Sequence, residues 1–162
     1  MAKALDNPSL YDTDYVAWLE EQVDHLRAGR ISALDIENVA LELESLIKSE
    51  RRQLGNRLEV LIHHLLKWDY QPDRRANRWR ATVEEQRTRI RRLPRDSPSL
   101  KAEVGATCRE VYADAVRAAV VETLLSAKGF PSELSYTVEQ IFERELPAEE
   151  LPEQRSTRKK RP

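Results

Sequence analysis

Charged side chains interrupt an otherwise apolar helical stripe in the middle of the chain. Between residues 36 and 70, apolar residues recur with the period of about 3.6 that defines an α-helix. On a helix that advances by about 100° per residue, Glu50 and Arg51 fall within about 50° of this stripe, and His64 lies at its edge. Glu122 lies in the same way among alanine and leucine residues of a later helical segment. These four side chains are the first candidates for a polar site.

Inward-facing charges of this kind have two interpretations. Because an unpaired buried carboxylate is costly, each must find a partner, change its pKa or face a water-filled cleft. The simpler interpretation is a set of salt bridges within the bundle or at its edge. The alternative is a polar pocket for a small polar ligand or a reaction, lined by Glu50, Arg51, His64 and Glu122. If successive helices are antiparallel, Glu122 returns close to Lys67 and meets a cation.

The other residues with chemical potential give little support to a metal site or a nucleophile. The pairs Glu21/His25 and Glu59/His63 have the i, i+4 spacing that can share a metal, but His63 is predicted to face solvent. The sequence contains no Glu-x-x-His pair, HExxH motif or paired CxxC. The single Cys108 lies on a helical apolar pattern and is predicted to be buried. We therefore expect no metal and no cofactor, name no catalytic residue, and lean against an enzyme.

Arginine residues are concentrated in the segment that follows the long stripe. Residues 67–95 carry 10 bases and 4 acids, net +6, whereas residues 1–50 carry 11 acids and 4 bases, net −7. With Trp79 among them, these arginines could follow a phosphate backbone. The candidates for contacting nucleic acid are Arg74, Arg75, Arg78, Arg80, Arg87 and Arg91. The competing interpretation is that they pair with acidic residues of neighbouring helices, and Trp79 also fits a core position.

Four long helices and one short helix are predicted to position these residues. Only 4 glycines, many Leu, Ala, Glu and Arg residues, and sparse β-branched residues favour helix over sheet. Asp12 or Thr13 is expected to cap the first helix, and Ser32 the second. The predicted bounds are about 13–28, 33–70, 76–93, 98–125 and 137–144. We expect an all-α, up-down antiparallel bundle in which the apolar faces of all the long helices turn inward.

A string of residues at the end of the second helix resembles a known family. It is His64-Leu65-Leu66-Lys67-Trp68, followed by Tyr70-Gln71-Pro72, Trp79-Arg80 and Glu85-Gln86-Arg87. Further matches in order are Tyr11 with Asp14, Leu43-Glu44-Ser45, Ser97-Pro98-Ser99-Leu100 and Phe130-Pro131. Over about residues 10–146 the chain resembles the family catalogued as domain of unknown function 29. The resemblance implies a compact, helical, bacterial protein and carries no established reaction, cofactor or catalytic residue.

Taken together, these patterns predict a protein-interaction module. We expect an N-terminal extension over 1–10, a helical bundle domain over 11–146 and a disordered basic tail over 147–162. The protein is expected to be cytoplasmic, without membrane contact, and to bind another protein or a second copy of itself. The first alternative is a nucleic-acid-binding accessory protein that uses the arginine-rich helix. The second is a ligand-binding or enzymatic polar pocket.

Overall fold

The computed structural model describes residues 9–148, apart from the side chains of residues 94–96. Within that range the chain forms α-helices and three short 3-10 turns, and it contains no strand. The helices are α1 (Leu10–Thr13), α2 (Tyr15–Arg27), α3 (Ile36–Tyr70), α4 (Asn77–Asp96), α5 (Pro98–Thr123) and α6 (Val138–Glu143). The predicted all-α fold with four long helices is confirmed. Most of the predicted basic tail, from residue 149 onward, lies outside the described residues.

The starts of α2 and α3 differ from the sequence prediction. Asp14, rather than Asp12 or Thr13, caps α2, because its carboxylate accepts a hydrogen bond from the Ala17 N–H at 3.1 Å. Ser32 does not open α3; it lies in a 3-10 turn, and the long helix begins at Ile36. Asp35 takes the capping role there and accepts the Asn38 N–H at 3.3 Å. A carboxylate at this position satisfies a helix N-terminus and also complements its positive dipole.

The contacts within the chain divide it into two compact units, with the boundary between Glu50 and Arg51. The first unit contains α1, α2 and the first part of α3, and the second contains the rest of α3 with α4, α5 and α6. The second unit holds the main core. Its most deeply buried side chains are Leu54, Leu58, Leu61, Ile62, Leu65, Leu66, Val83, Ile90, Cys108 and Ile141.

Trp79 and Cys108 lie at core positions, as the sequence predicted. Trp79 is 7% exposed and packs in the core of the second unit, as its place on the helical stripe indicated. Cys108 is fully buried, and this burial raises the pKa of its thiol to about 11. Because a thiolate is the reactive form, Cys108 is a packing residue rather than a nucleophile at neutral pH.

Polar contacts fix the C-terminal segment onto the core helices. The buried guanidinium of Arg87 donates to the carbonyl oxygen of Ile141 at 2.8 Å and to Glu84 at 2.7 Å. Asp69 accepts hydrogen bonds from the Tyr136 hydroxyl at 2.7 Å and from Arg144 at 2.5 Å. These contacts join α4 and α3 to residues that are more than 50 positions later in the chain.

In the part of the chain that the structure describes, no helix has both the length and the apolarity required to cross a bilayer.

Candidate functional site

Hydrogen bonds between aromatic and acidic side chains hold the first unit together. Glu42 accepts the hydroxyl protons of Tyr11 at 2.7 Å and Tyr15 at 2.6 Å. The Trp18 ring packs against both tyrosines, with centroid distances of 4.8 and 5.9 Å. Donation from the two hydroxyls lowers the pKa of Glu42, and the bond to Glu42 raises the pKa of Tyr11 to about 12. Glu42 is therefore held as the ionised acceptor and Tyr11 as the protonated donor.

The buried interior of the first unit is very small. Within residues 9–50 only Trp18 and Gln22 are buried, and one of them is polar. The amide oxygen of Gln22 accepts the Asp35 N–H at 2.8 Å, and the Trp18 indole N–H donates to the Asp35 carboxylate at 3.3 Å. Both buried side chains thus serve to attach α2 to the start of α3. The apolar residues of these two helices take little part in the attachment.

Two apolar patches remain exposed on the first unit. The α2 patch consists of Val16, Leu19, Val23 and Leu26, and the α3 patch consists of Ile36, Leu43, Leu46 and Ile47. All eight side chains are between 36 and 64% exposed. The prediction that the apolar faces of the first two helices turn inward was therefore wrong at all of these positions except Val16, which was not on the predicted face. Residues spaced by three and four positions lie on one side of a helix, so the α2 patch is continuous, as is the part of the α3 patch from Leu43 to Ile47.

The α3 patch belongs to the same stripe that forms the core of the second unit. Leu43 and Ile47 are 57 and 53% exposed, whereas Leu54, Leu58 and Leu61 on the same side of the helix are at most 1% exposed. Apolar residues recur with the same helical period on both sides of Glu50 and Arg51. The exposure of the side chains differs because other helices pack over the later residues and not over Leu43 and Ile47.

Acidic residues surround the patches of the first unit. Residues 9–50 contain ten acidic and three basic residues. Beside the α2 patch, Glu20, Asp24 and Arg27 line a shallow cleft of about 390 Å³ together with Leu19 and Val23. The first unit therefore presents apolar side chains in a negative electrostatic environment.

The residues of the predicted polar pocket have separate partners. Arg51 bonds to Glu103 through two nitrogen atoms, at 2.9 and 3.0 Å. His64 contacts the Val60 carbonyl oxygen through Nδ1 at 2.9 Å, and Glu50 is exposed in the first unit. Glu122 bonds to Lys67. No hydrogen bond or ion pair joins Arg51, His64 and Glu122 to one another within the described residues, so this geometry favours the salt-bridge interpretation.

Glu122 instead belongs to a cluster around a buried ammonium group. Lys67 is 3% exposed, its Nζ donates to the Glu122 carboxylate, and it lies 4.5 Å from the centroid of the Trp79 ring. The predicted meeting of Glu122 with a cation is confirmed. His63 also joins the cluster, with Nε2 3.5 Å from Glu122. Within residues 9–148 no group of three or more His, Cys, Asp or Glu side chains could hold a metal ion.

The burial of His63 corrects the prediction that it faces solvent. The imidazole is only 6% exposed, although it points away from the apolar stripe. Residues 61–63 and 65–68 are all buried, and their side chains point in every direction around the axis of this part of α3. A helix surrounded by its neighbours has no solvent face, so the angle around the helix does not determine exposure there.

The buried imidazole makes the stability of the protein dependent on pH. Desolvation lowers the pKa of His63 to about 4. The neighbouring His64 and Lys67 act in the same direction, whereas the Glu122 carboxylate opposes the shift. An unfolded histidine has a pKa of about 6.5, so the unfolded chain binds the proton more strongly. We expect the free energy of unfolding to fall, by about 2 kcal/mol, as the pH decreases from about 6.5 towards 4.

Urea unfolding at several pH values measures this loss. His63→Gln is expected to flatten the dependence on pH, and His25→Gln in the first unit controls for the loss of an imidazole. The pKa of His64 is also lowered by burial, so some dependence of the same sign remains in the variant. A slope that is unchanged by His63→Gln would show that His63 does not titrate as its burial requires.

Three of the six candidate arginines for nucleic acid are engaged by the protein itself. Arg75 donates to the Trp68 carbonyl oxygen at 2.9 Å, Arg87 is buried, and Arg91 donates to the Phe142 carbonyl oxygen at 2.8 Å. The other three are Arg74 and Arg78, which are exposed, and Arg80, which is half-buried. The guanidinium groups of these three make no hydrogen bond or ion pair within the described residues. The exposed basic surface is thus smaller than the sequence indicated.

The fold and its surfaces define an all-α protein with a well-packed C-terminal unit and an acidic N-terminal unit that exposes apolar patches. The model of the family described as Domain of unknown function DUF29 matches residues 10–146, so the chain belongs to that family. The resemblance found in the sequence is confirmed. No curated protein and no solved structure matches the chain.

Proposed function

We propose that the protein is an interaction module whose first unit binds a basic, amphipathic helix of a partner protein. The observation that carries this proposal is the exposure of the α2 and α3 patches, which place eight large apolar side chains in water within residues 16–47. Single exposed apolar residues are normal on a protein surface, whereas contiguous groups of them mark interaction sites. An amphipathic helix is a common ligand for such a surface.

The charge of the first unit indicates the chemistry of the partner. Glu20 and Asp24 lie beside Leu19 and Val23 in the cleft on α2, and acids outnumber bases by ten to three over residues 9–50. A partner helix with Lys or Arg beside its apolar face complements this surface. Such complementarity accelerates association and discriminates against acidic partners, and salt weakens it.

A second copy of this chain fits the surface less well. Two first units facing each other would bring together surfaces that are both strongly acidic. The most basic helix of the chain is α4, but its apolar residues Trp79, Val83 and Ile90 are already buried in the core of the second unit. Among residues 9–148, α4 therefore does not offer a free basic amphipathic face to another copy of the chain.

Nucleic-acid binding is the competing function, and it rests on fewer residues. Only Arg74, Arg78 and Arg80 remain of the six candidates once the arginines engaged by the protein are set aside. Phosphate contacts are additive, so three such contacts give weak binding that salt readily removes. This surface lies on the second unit, so variants of the first unit distinguish the two functions.

The proposal is tested with a fluorescently labelled model peptide of Leu and Lys that forms a basic amphipathic helix. We expect binding to the whole protein in an anisotropy titration, and about tenfold weaker binding by Leu19→Glu and by Leu43→Glu, because each places a charge in the apolar contact. Thermal unfolding should change little, since both residues are exposed. Val121→Glu, at a residue that is 74% exposed in the second unit, is the matched control.

Three results would contradict the proposal. One is equal affinity in the patch variants and the Val121→Glu control. Another is equal affinity for a peptide in which Glu replaces Lys, because the proposed partner helix is basic. The third is a stable dimer in sedimentation experiments that Leu43→Glu dissociates, because a second copy would then occupy the patch.

A further inference from the structure

A second concave surface lies entirely within the second unit, between α4, α5 and α6. It is a cleft of about 700 Å³, whose floor is formed by the buried Ile90 and Val104 and whose other apolar lining residues are Val138 and Phe142. Ligand sites in proteins are commonly clefts of about 300–1,000 Å³ with apolar walls and a few polar groups. The size and lining of this cleft therefore match a site for a small molecule.

The walls of the cleft are held in place by contacts of their own. Arg91 donates to the Phe142 carbonyl oxygen at 2.8 Å and to Glu143 at 3.0 Å, which joins α4 to α6. Val138 of α6 lies close to α5, because a Cβ atom at Gly105 would be in ordinary van der Waals contact with the Val138 side chain, at 3.6 Å. Arg91 and Glu143 are therefore each other's charged partner at the rim of the cleft.

Two further charges at the rim have no such partner. Lys101 and Glu139 both line the cleft and are exposed. Among the side chains that the structure describes, neither makes a hydrogen bond or an ion pair. Lys101 lies in the first turn of the 26-residue helix α5, where the helix dipole also favours a negative group.

We propose that this cleft binds a short apolar peptide with free termini. The peptide carboxylate contacts Lys101, its ammonium group contacts Glu139, and its side chains cover the apolar floor. A zwitterionic ligand with an apolar body is the class that satisfies both unpaired charges and the floor at once. A ligand with one charge would leave the other rim group unpaired. This inference is independent of the proposed function, because no residue of the first unit takes part.

Isothermal titration calorimetry of the whole protein with trileucine tests the assignment. We expect saturable binding that weakens about tenfold when the peptide is amidated at its C-terminus or acetylated at its N-terminus, because each change removes one charge-assisted contact. Lys101→Met should weaken binding of the free peptide to the same extent and leave the affinity for the amidated peptide unchanged. Glu139→Gln should do the same for the acetylated peptide.

Lys128→Met is the matched control, since Lys128 is an exposed lysine that does not line the cleft. Circular dichroism of each variant establishes that the helices are intact. The proposal is overturned if trileucine does not bind at millimolar concentration. It is also overturned if Lys101→Met and Lys128→Met behave alike, or if the blocked peptides bind as tightly as the free one. The last outcome would indicate an apolar surface without recognition of the termini.

Discussion

Glu122→Met is expected to lower the free energy of unfolding by about 3 kcal/mol, although half of the Glu122 side chain is exposed. The reason lies in its partner, because the Lys67 ammonium is buried and the Glu122 carboxylate is its hydrogen-bonded anion. Removing the anion leaves the buried ammonium beside the Trp79 ring without its carboxylate. Urea unfolding at pH 7 measures the loss.

A double-mutant cycle separates the interaction energy between Lys67 and Glu122 from the energies of their other contacts. Lys67→Met in the Glu122→Met background should recover most of the lost stability, since a thioether side chain of similar length can occupy the buried position. Glu103→Met breaks the more exposed pair with Arg51 and should cost less than about 1 kcal/mol. Equal losses for Glu122→Met and Glu103→Met would show that the buried ammonium does not depend on its carboxylate.

Leu61→Ala is expected to destabilise the protein by about 3 kcal/mol, while Leu43→Ala changes its stability by less than about 0.5 kcal/mol. Both leucines lie on the same stripe of the same helix, but Leu61 is fully buried and Leu43 is 57% exposed. Truncation leaves a cavity only where other side chains surround the position. Chemical unfolding of the two variants under one set of conditions gives the comparison.

The Leu43→Ala result also bears on the proposed interaction. A small change in stability together with weaker binding of the basic peptide is the expected combination, because the patch is used for the partner and not for the fold. A loss at Leu43 as large as that at Leu61 would mean that the α3 patch is covered in solution. The protein concentration dependence of that loss would then identify self-association.

Much of the secondary structure could be predicted because its causes are local. The period of the stripe defined α3 up to Tyr70, and proline after Ser97 marked the start of α5. The last helix begins at a capping box formed by Thr137 and Gln140, whose spacing is itself a local sequence signal. The start of α3 was missed because Ser32 comes only three residues before Asp35, and the bonds that join Asp35 to Trp18 and Gln22 are tertiary.

The candidate site depended on information that the sequence does not contain. Helical angles placed Glu122 near a cation correctly, because alternation of successive helices is enough to make α5 run parallel to α3 and bring their C-terminal ends together. They failed for His63, because α3 is surrounded on all sides at that point. They also failed to separate Arg87, which is buried, from Arg78, which is exposed, since both are arginines on one basic helix.

By itself the sequence determined the helices, the long apolar stripe, the acidic and basic segments and the family of this protein. These properties follow from residue type and spacing, which act over a few turns of helix. Only the tertiary structure decided which part of the stripe forms a core. Leu54, Leu58, Leu61 and Leu65 are buried, while Leu43 and Ile47 remain exposed. Burial depends on whether another element packs over a side chain, and an apolar stripe has the same composition whether it faces its own core or a partner.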